Sequence, residues 1–141
     1  TLLKTLLKQD TGLKEPKTEA KRWLSQAEND LEFAIVGLRE KFYAQVCFQC
    51  QQVSEKALKS IRYASGERIV YGHALVDLAS EMDLPAQLKD ELAVLDQYYI
   101  PTRYPNGLPG GVPYAVYTKR QADDAVKSAS TVVKLAHEQI E

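Results

Sequence analysis

The apolar residues of this chain recur at intervals of three and four, and that spacing limits it to a helical fold. Ala20, Trp23, Leu24, Ala27, Leu31, Ala34, Ile35 and Leu38 fall on one side of an α-helix. The helix is predicted to start near Thr18, whose hydroxyl can cap free backbone N–H groups, with Glu19 in the first turn where the helix dipole favours an acid. A second helix, about Lys41 to Ser65, buries Tyr43, Val46, Cys47, Cys50, Val53, Ala57, Leu58, Ile61 and Ala64, and Gly66 supplies a left-handed residue to end it. A shorter stripe of Ala74, Leu75, Leu78, Ala79 and Met82 begins near His73. Pro85 suits the first turn of a fourth helix carrying Leu88, Leu92, Leu95 and Tyr99, which must stop before Pro101. The last helix opens at Thr118, which with Gln121 makes a capping box, and its stripe runs from Ala122 to Ile140. No segment shows the two-residue alternation of a half-buried strand. The pattern is that of an all-α, up-and-down bundle of four to five helices with a long Pro/Gly-rich loop before the last one. The bundle spans residues 18–141, and residues 1–17 form an arm whose opening Thr1–Lys8 can make two amphipathic turns before Gly12 and Pro16 break them.

With 141 residues, 45% of them hydrophobic, the chain has enough apolar side chains for one core. Its 18 basic and 19 acidic residues leave a net charge of −1, which argues against a protein that coats nucleic acid through an excess of Lys and Arg. Cys47 and Cys50 have CxxC spacing, but they fall within a buried helical stripe and no second pair of ligands accompanies them, so they read as reduced core thiols. No metal and no cofactor is implied. Reduced thiols, with no apolar run of the roughly 20 residues needed to cross a bilayer, point to a cytoplasmic protein without a membrane partner. The P-loop, GxGxxG, HExxH and GxSxG signatures are absent.

Two features carry candidate chemistry. The loop Pro101–Tyr117 holds four prolines and three glycines, together with Arg103, Tyr104, Tyr114 and Tyr117. A guanidinium beside aromatic rings suits recognition of phosphate, base or protein; alternatively the tyrosines cover the bundle end while Arg103 bonds helix carbonyls. On the second helix Gln45, Gln49, Gln52, Lys56, Lys59 and Tyr63 share a face opposite the core stripe. They read as a solvated face, as a phosphate or acidic-partner site through Lys56 and Lys59, or as a dimer contact in which Glu55 or the Gln amides pair across a two-fold axis.

In Gln51-Gln-Val-Ser-Glu-Lys-Ala-Leu-Lys59, in Gly72-His-Ala-Leu75 with Leu78, and in Asp96-Gln-Tyr-Tyr-Ile-Pro-Thr-Arg-Tyr-Pro105 the chain resembles the HEPN family, from about Thr18 to the C-terminus. The resemblance implies a helical bundle that forms homodimers. Some members lie beside or are fused to small nucleotidyltransferases, some are RNases of toxin–antitoxin and defence systems, and a related domain ends sacsin. The catalytic branch uses an Arg and a His with four to six residues between them. Arg103 stands where that Arg belongs, yet Tyr104 follows it and no His lies within reach. Arg68 and His73 do have the R-x4-H spacing, but they precede the short third stripe. As a catalytic pair, His73 would take the proton of a ribose 2′-OH while Arg68 stabilised phosphate charge. The reading that follows is a non-catalytic module. It is expected to be a homodimer that binds nucleotide or RNA through Arg103, Tyr104, Lys56, Lys59 and Gln52, and acts with a separate nucleotidyltransferase in a toxin–antitoxin-like pair. A metal-independent RNase and a purely structural dimerisation domain are the alternatives.

Overall fold

A computed structural model of the chain describes residues 15–141; of the expected arm over residues 1–17, residues 1–14 lie outside the described residues. Among the described residues six α-helices and no strand make up the fold: α1 (Pro16–Arg39), α2 (Tyr43–Ala64), α3 (Leu75–Leu78), α4 (Ala86–Asp96), α5 (Pro113–Val116) and α6 (Lys119–Ile140). A 3₁₀ turn over Pro105–Gly107 precedes α5.

The long helices match the sequence pattern, and the differences lie at element ends. Helix α1 starts two residues before Thr18 because Pro16, with its preset φ and missing N–H, takes the first turn, and Glu15 stands at the N-cap. The connection Glu40–Phe42 turns the chain back sharply, with Lys41 at φ 68° and the Phe42 N–H donating to the Gly37 carbonyl at 2.9 Å, so α2 runs antiparallel to α1. Gly66, at φ 107°, ends α2 as expected. The stripe starting near His73 yields only one turn of helix, α3, after which Ala79 and Met82 continue in turns. At Thr118 the capping box is complete: its hydroxyl accepts from the Gln121 N–H at 3.2 Å, and the Gln121 carboxamide oxygen accepts from the Thr118 N–H at 2.9 Å. The Pro101–Tyr117 connection, expected to be irregular, contains the 3₁₀ turn and α5.

Helix α2 is the axis of the molecule. It packs on α1, α6, α3, α4 and α5, and is consequently buried on nearly all sides from Ala44 to Tyr63. The predicted stripe from Val46 to Ile61 is all core, joined by Leu24 and Ala27 of α1, Leu92 and Leu95 of α4, and Ala129 and Val132 of α6. The opposite face is solvated only in part, which corrects the expectation of a wholly solvated one: Gln45 is exposed and Gln49, Gln52 and Lys56 are half-buried, but Lys59 and Tyr63 are interior, and Tyr63 stacks on Trp23 of α1 at 6.1 Å between centroids. No helix of the described residues is long and apolar enough to cross a membrane.

Cys47 and Cys50 are free and fully buried, and among the described residues no cluster of three metal-ligating side chains exists. Burial pushes the Cys47 thiol up to about 12; burial, then the neighbouring Cys47, pushes Cys50 up as well. Both remain protonated across the physiological range, so they are poor nucleophiles. Neither thiol should react with a disulfide reagent at pH 8 in the native protein, and both should react after denaturation in guanidinium; rapid native labelling would contradict the packing.

Candidate ligand site

The three separated segments singled out in the sequence meet beside the middle of α2. Gln51, fully buried in the middle of that helix, donates from its amide nitrogen to the His73 carbonyl at 2.9 Å and to Asp96 Oδ1 at 3.3 Å. Gln52 supports it, donating to Gln51 Oε1 at 2.8 Å. Asp96, the last residue of α4, accepts from the Leu75 N–H at 2.8 Å through Oδ1 and from the Val76 N–H at 3.1 Å through Oδ2. Helix α3 has no side-chain cap of its own, so a carboxylate about twenty residues further along the chain satisfies its free N–H groups and meets the positive end of its dipole. Gly72, at φ 105°, turns the chain into this cap.

One turn along α2, Glu55 is buried and receives two partners: Lys59 Nζ at 3.3 Å and His73 Nδ1 at 3.1 Å. A carboxylate only accepts, so Nδ1 is the donor in this contact. Lys59 also sits 5.1 Å from the Trp23 ring centroid. The exposed His73 ring stacks on Tyr99, with centroids 5.8 Å apart and 21° between planes. Tyr99 leans on Phe48 of α2 at 6.2 Å.

Arg103 completes the cluster. Its Nε donates to the Tyr99 carbonyl at 2.8 Å, and its guanidinium carbon lies 4.4 Å from the Phe48 centroid, 4.8 Å from Tyr99 and 5.2 Å from Tyr104. Thr102 behind it is buried, its hydroxyl donating to the Tyr98 carbonyl. Among the described residues no carboxylate pairs with this guanidinium, so its terminal N–H groups remain directed at solvent from a fixed aromatic seat. The two readings of the loop therefore overlap: Arg103 does bond a carbonyl just past the end of α4, and it still presents an unneutralised cation. Of the tyrosines, Tyr117 covers Tyr98 edge-on at 5.8 Å, whereas Tyr114 stands out in solvent.

Among the residues chosen from the sequence, Arg103, Tyr104, His73 and Gln52 belong to this cluster. Lys56 does not present a free charge: its ammonium is bonded to Asp30 of α1, a carboxylate that also accepts from Gln26 at 2.8 Å. Lys59, expected to add surface charge, is instead buried against Glu55, and Glu55 is satisfied inside the chain, not held ready for a second copy. Arg68 lies exposed on the connection between α2 and α3, while the contacts of His73 are with Glu55, Tyr99 and Gln51. The sequence reading passed over Gln51, Phe48, Tyr99 and Asp96 as site residues. Gln51 carried no signal of its own, because Gln49 and Gln52 beside it are amides too.

The family comparison gives the same frame. Residues 20–139 match the HEPN domain, and the chain belongs to that family. It is 29% identical over 128 residues to a Methanocaldococcus jannaschii protein named "Putative toxin MJ1304", covering 82% of this chain and 84% of that one. Among solved structures, TT1696 from Thermus thermophilus superposes with a TM-score of 0.80 at 37% identity, over 85% of this chain and 97% of that one. ST0689, described as an archaeal HEPN homologue, does so with a TM-score of 0.74 at 34% identity, over 86% and 98%. A HEPN domain protein of Thermotoga maritima gives 0.64 at 27% identity, over 83% and 95%.

Glu55→Gln leaves Lys59 as a buried cation without its carboxylate and should cost about 3–5 kcal/mol of stability. Adding Lys59→Met should recover most of that loss, measured by denaturant unfolding; equal loss in the single and double variants would show that the pair is not coupled.

Proposed function

We propose that this chain is a non-catalytic HEPN module, working as a homodimer, that holds a nucleotide or RNA at Arg103 and Tyr104 and acts with a separate nucleotidyltransferase in a toxin–antitoxin-like pair. The observation that carries the binding reading is the Arg103 guanidinium, which pairs with no carboxylate among the described residues and is seated between Phe48, Tyr99 and Tyr104. A guanidinium fixed in this way loses little freedom on binding and offers its remaining N–H groups to phosphate oxygens, while the half-exposed Tyr104 ring offers a base a stacking face. Gln52 supports the site through Gln51. Lys56 contributes positive potential only after its pairing with Asp30 is discounted, and Lys59 acts through Glu55 on the position of His73. The partner reading is supported by family membership and by the name borne by the Methanocaldococcus jannaschii relative.

One observation favours a second reading, metal-independent RNA cleavage. His73, oriented by Glu55, touches the same Tyr99 ring as Arg103, so a base and a cation share one site although Arg68 and His73 do not pair.

Arg103→Ala should weaken binding of a short single-stranded RNA or a nucleoside triphosphate by about tenfold or more, with the fold retained and a shallower salt dependence, measured by fluorescence anisotropy. Unchanged affinity in the folded variant would defeat the binding reading. RNA cleavage that persisted in EDTA and vanished in His73→Ala would replace it with the second.

A further inference from the structure

Between α4 and α6 lies an open cavity of about 370 Å³, a volume in the range of small-molecule sites. None of the residues that line it belongs to the Arg103 cluster.

Its wall holds two hydroxyls with nothing to bond. Tyr98 and Ser128 are only 8% and 7% exposed, and among the described residues neither hydroxyl has a hydrogen-bond partner. No fully enclosed side-chain oxygen of the described residues lacks a partner, so these two oxygens are the parts of their side chains that face the cavity. A helical serine can bond the carbonyl one turn back, as Ser54 does with Cys50 at 2.9 Å; Ser128 makes no such bond. Burial first, then Cys47, Tyr117 and Asp124, pushes the Tyr98 phenol up to about 12, so it stays a neutral hydroxyl through the physiological range. Enclosed hydroxyls without protein partners are the polar contacts that orient a ligand in a cavity otherwise walled by carbon.

The rim sets the charge of that ligand. Asp90 and Glu91 on α4 and Asp124 on α6 border the cavity, against the single cation of Lys127. Among the described residues Asp90, Asp124 and Lys127 form no ion pair, and Glu91 accepts only a long bond from Gln87, at 3.4 Å. The cavity therefore favours a cation. Its carboxylates stand apart, because among the described residues no three ligating side chains come together closely enough to hold a metal ion. A divalent metal needs its oxygens around one point, whereas a cation whose charges are spread along a hydrocarbon stem can meet separated carboxylates and lay the stem on Val94, Leu95 and Ala125.

We propose that this cavity binds an aliphatic diamine or longer polyamine. One ammonium donates to the Tyr98 and Ser128 hydroxyl oxygens beside Asp124, the methylene stem crosses the apolar wall, and a second ammonium pairs with Asp90 and Glu91. The site is separate from the Arg103 cluster and does not rest on the nucleotide reading.

Isothermal titration calorimetry of the full chain with putrescine, a four-carbon diamine, tests it. Putrescine should bind once per chain, and n-butylamine, which keeps the stem but has one ammonium, at least about tenfold more weakly. Tyr98→Phe and Ser128→Ala should each weaken putrescine about fivefold without lowering the unfolding midpoint, since neither hydroxyl bonds within the chain. Asp124→Asn should weaken it about fivefold as well, whereas Asp83→Asn, which removes a carboxylate outside the cavity, and Arg103→Ala should leave it unchanged. No binding of putrescine at millimolar concentration, or unchanged affinity in folded Tyr98→Phe and Asp124→Asn, overturns the site. Equal weakening by Asp83→Asn shows general attraction to an acidic surface and overturns it too. Displacement of putrescine by magnesium at matched ionic strength overturns the assignment of a spread charge.

Discussion

A buried carboxamide on the central helix organises this molecule. Helix α2 is surrounded by the other five helices, and in that apolar setting a polar atom without a partner costs about 1–3 kcal/mol. Gln51 escapes that cost by donating to the His73 carbonyl and to Asp96, and Asp96 in turn caps α3. Three elements that are distant in sequence are thereby held at fixed distances by directional bonds, where apolar packing alone would tolerate sliding. Among the described residues no buried side-chain polar atom is left without a partner. The joint is therefore satisfied throughout, the condition under which a buried polar network specifies geometry.

The surface chemistry inherits its position from this joint. Fixing His73 and the end of α4 fixes where Tyr99 emerges, and Tyr99 seats both the His73 ring and the Arg103 guanidinium. The Glu55–Lys59 pair repeats the arrangement one turn further along, with a buried cation balancing the carboxylate that orients His73. Neither lysine of the α2 segment is available as a free charge, so the open cation of the site is Arg103. That gives binding through one preorganised guanidinium and aromatic faces, not through a basic surface, in keeping with a net charge of −1.

Periodicity made the long helices legible because each buries one stripe, and Thr118 with Gln121 marked the start of α6 by local bonds alone. It failed for the polar side of α2, since spacing reports which residues share a face and not how many neighbours surround the helix. Lys59 reads as solvated until Trp23 and Glu55 are placed around it. Asp96 was illegible as a cap because its two N–H partners lie about twenty residues away, a relation that only the tertiary fold creates. Arg103 was visible as a cation among tyrosines, but Phe48, the ring nearest to it, comes from another helix. The HEPN resemblance marked Gln51, Glu55, Lys59, His73, Asp96 and Arg103 in three segments, without stating what joins them, and left out Trp23 and Phe48; the structure shows that the segments meet.

If the Gln51–Asp96 joint holds the site together, the amides of Leu75 and Val76 report on it directly. Native-state hydrogen exchange should find both protected, and Asp96→Ala should accelerate their exchange at least about tenfold while amides in the middle of α1 and α6 keep their native rates. Equal exchange at Leu75 and Val76 in the two proteins would show that α3 is held by apolar packing alone and would contradict the account.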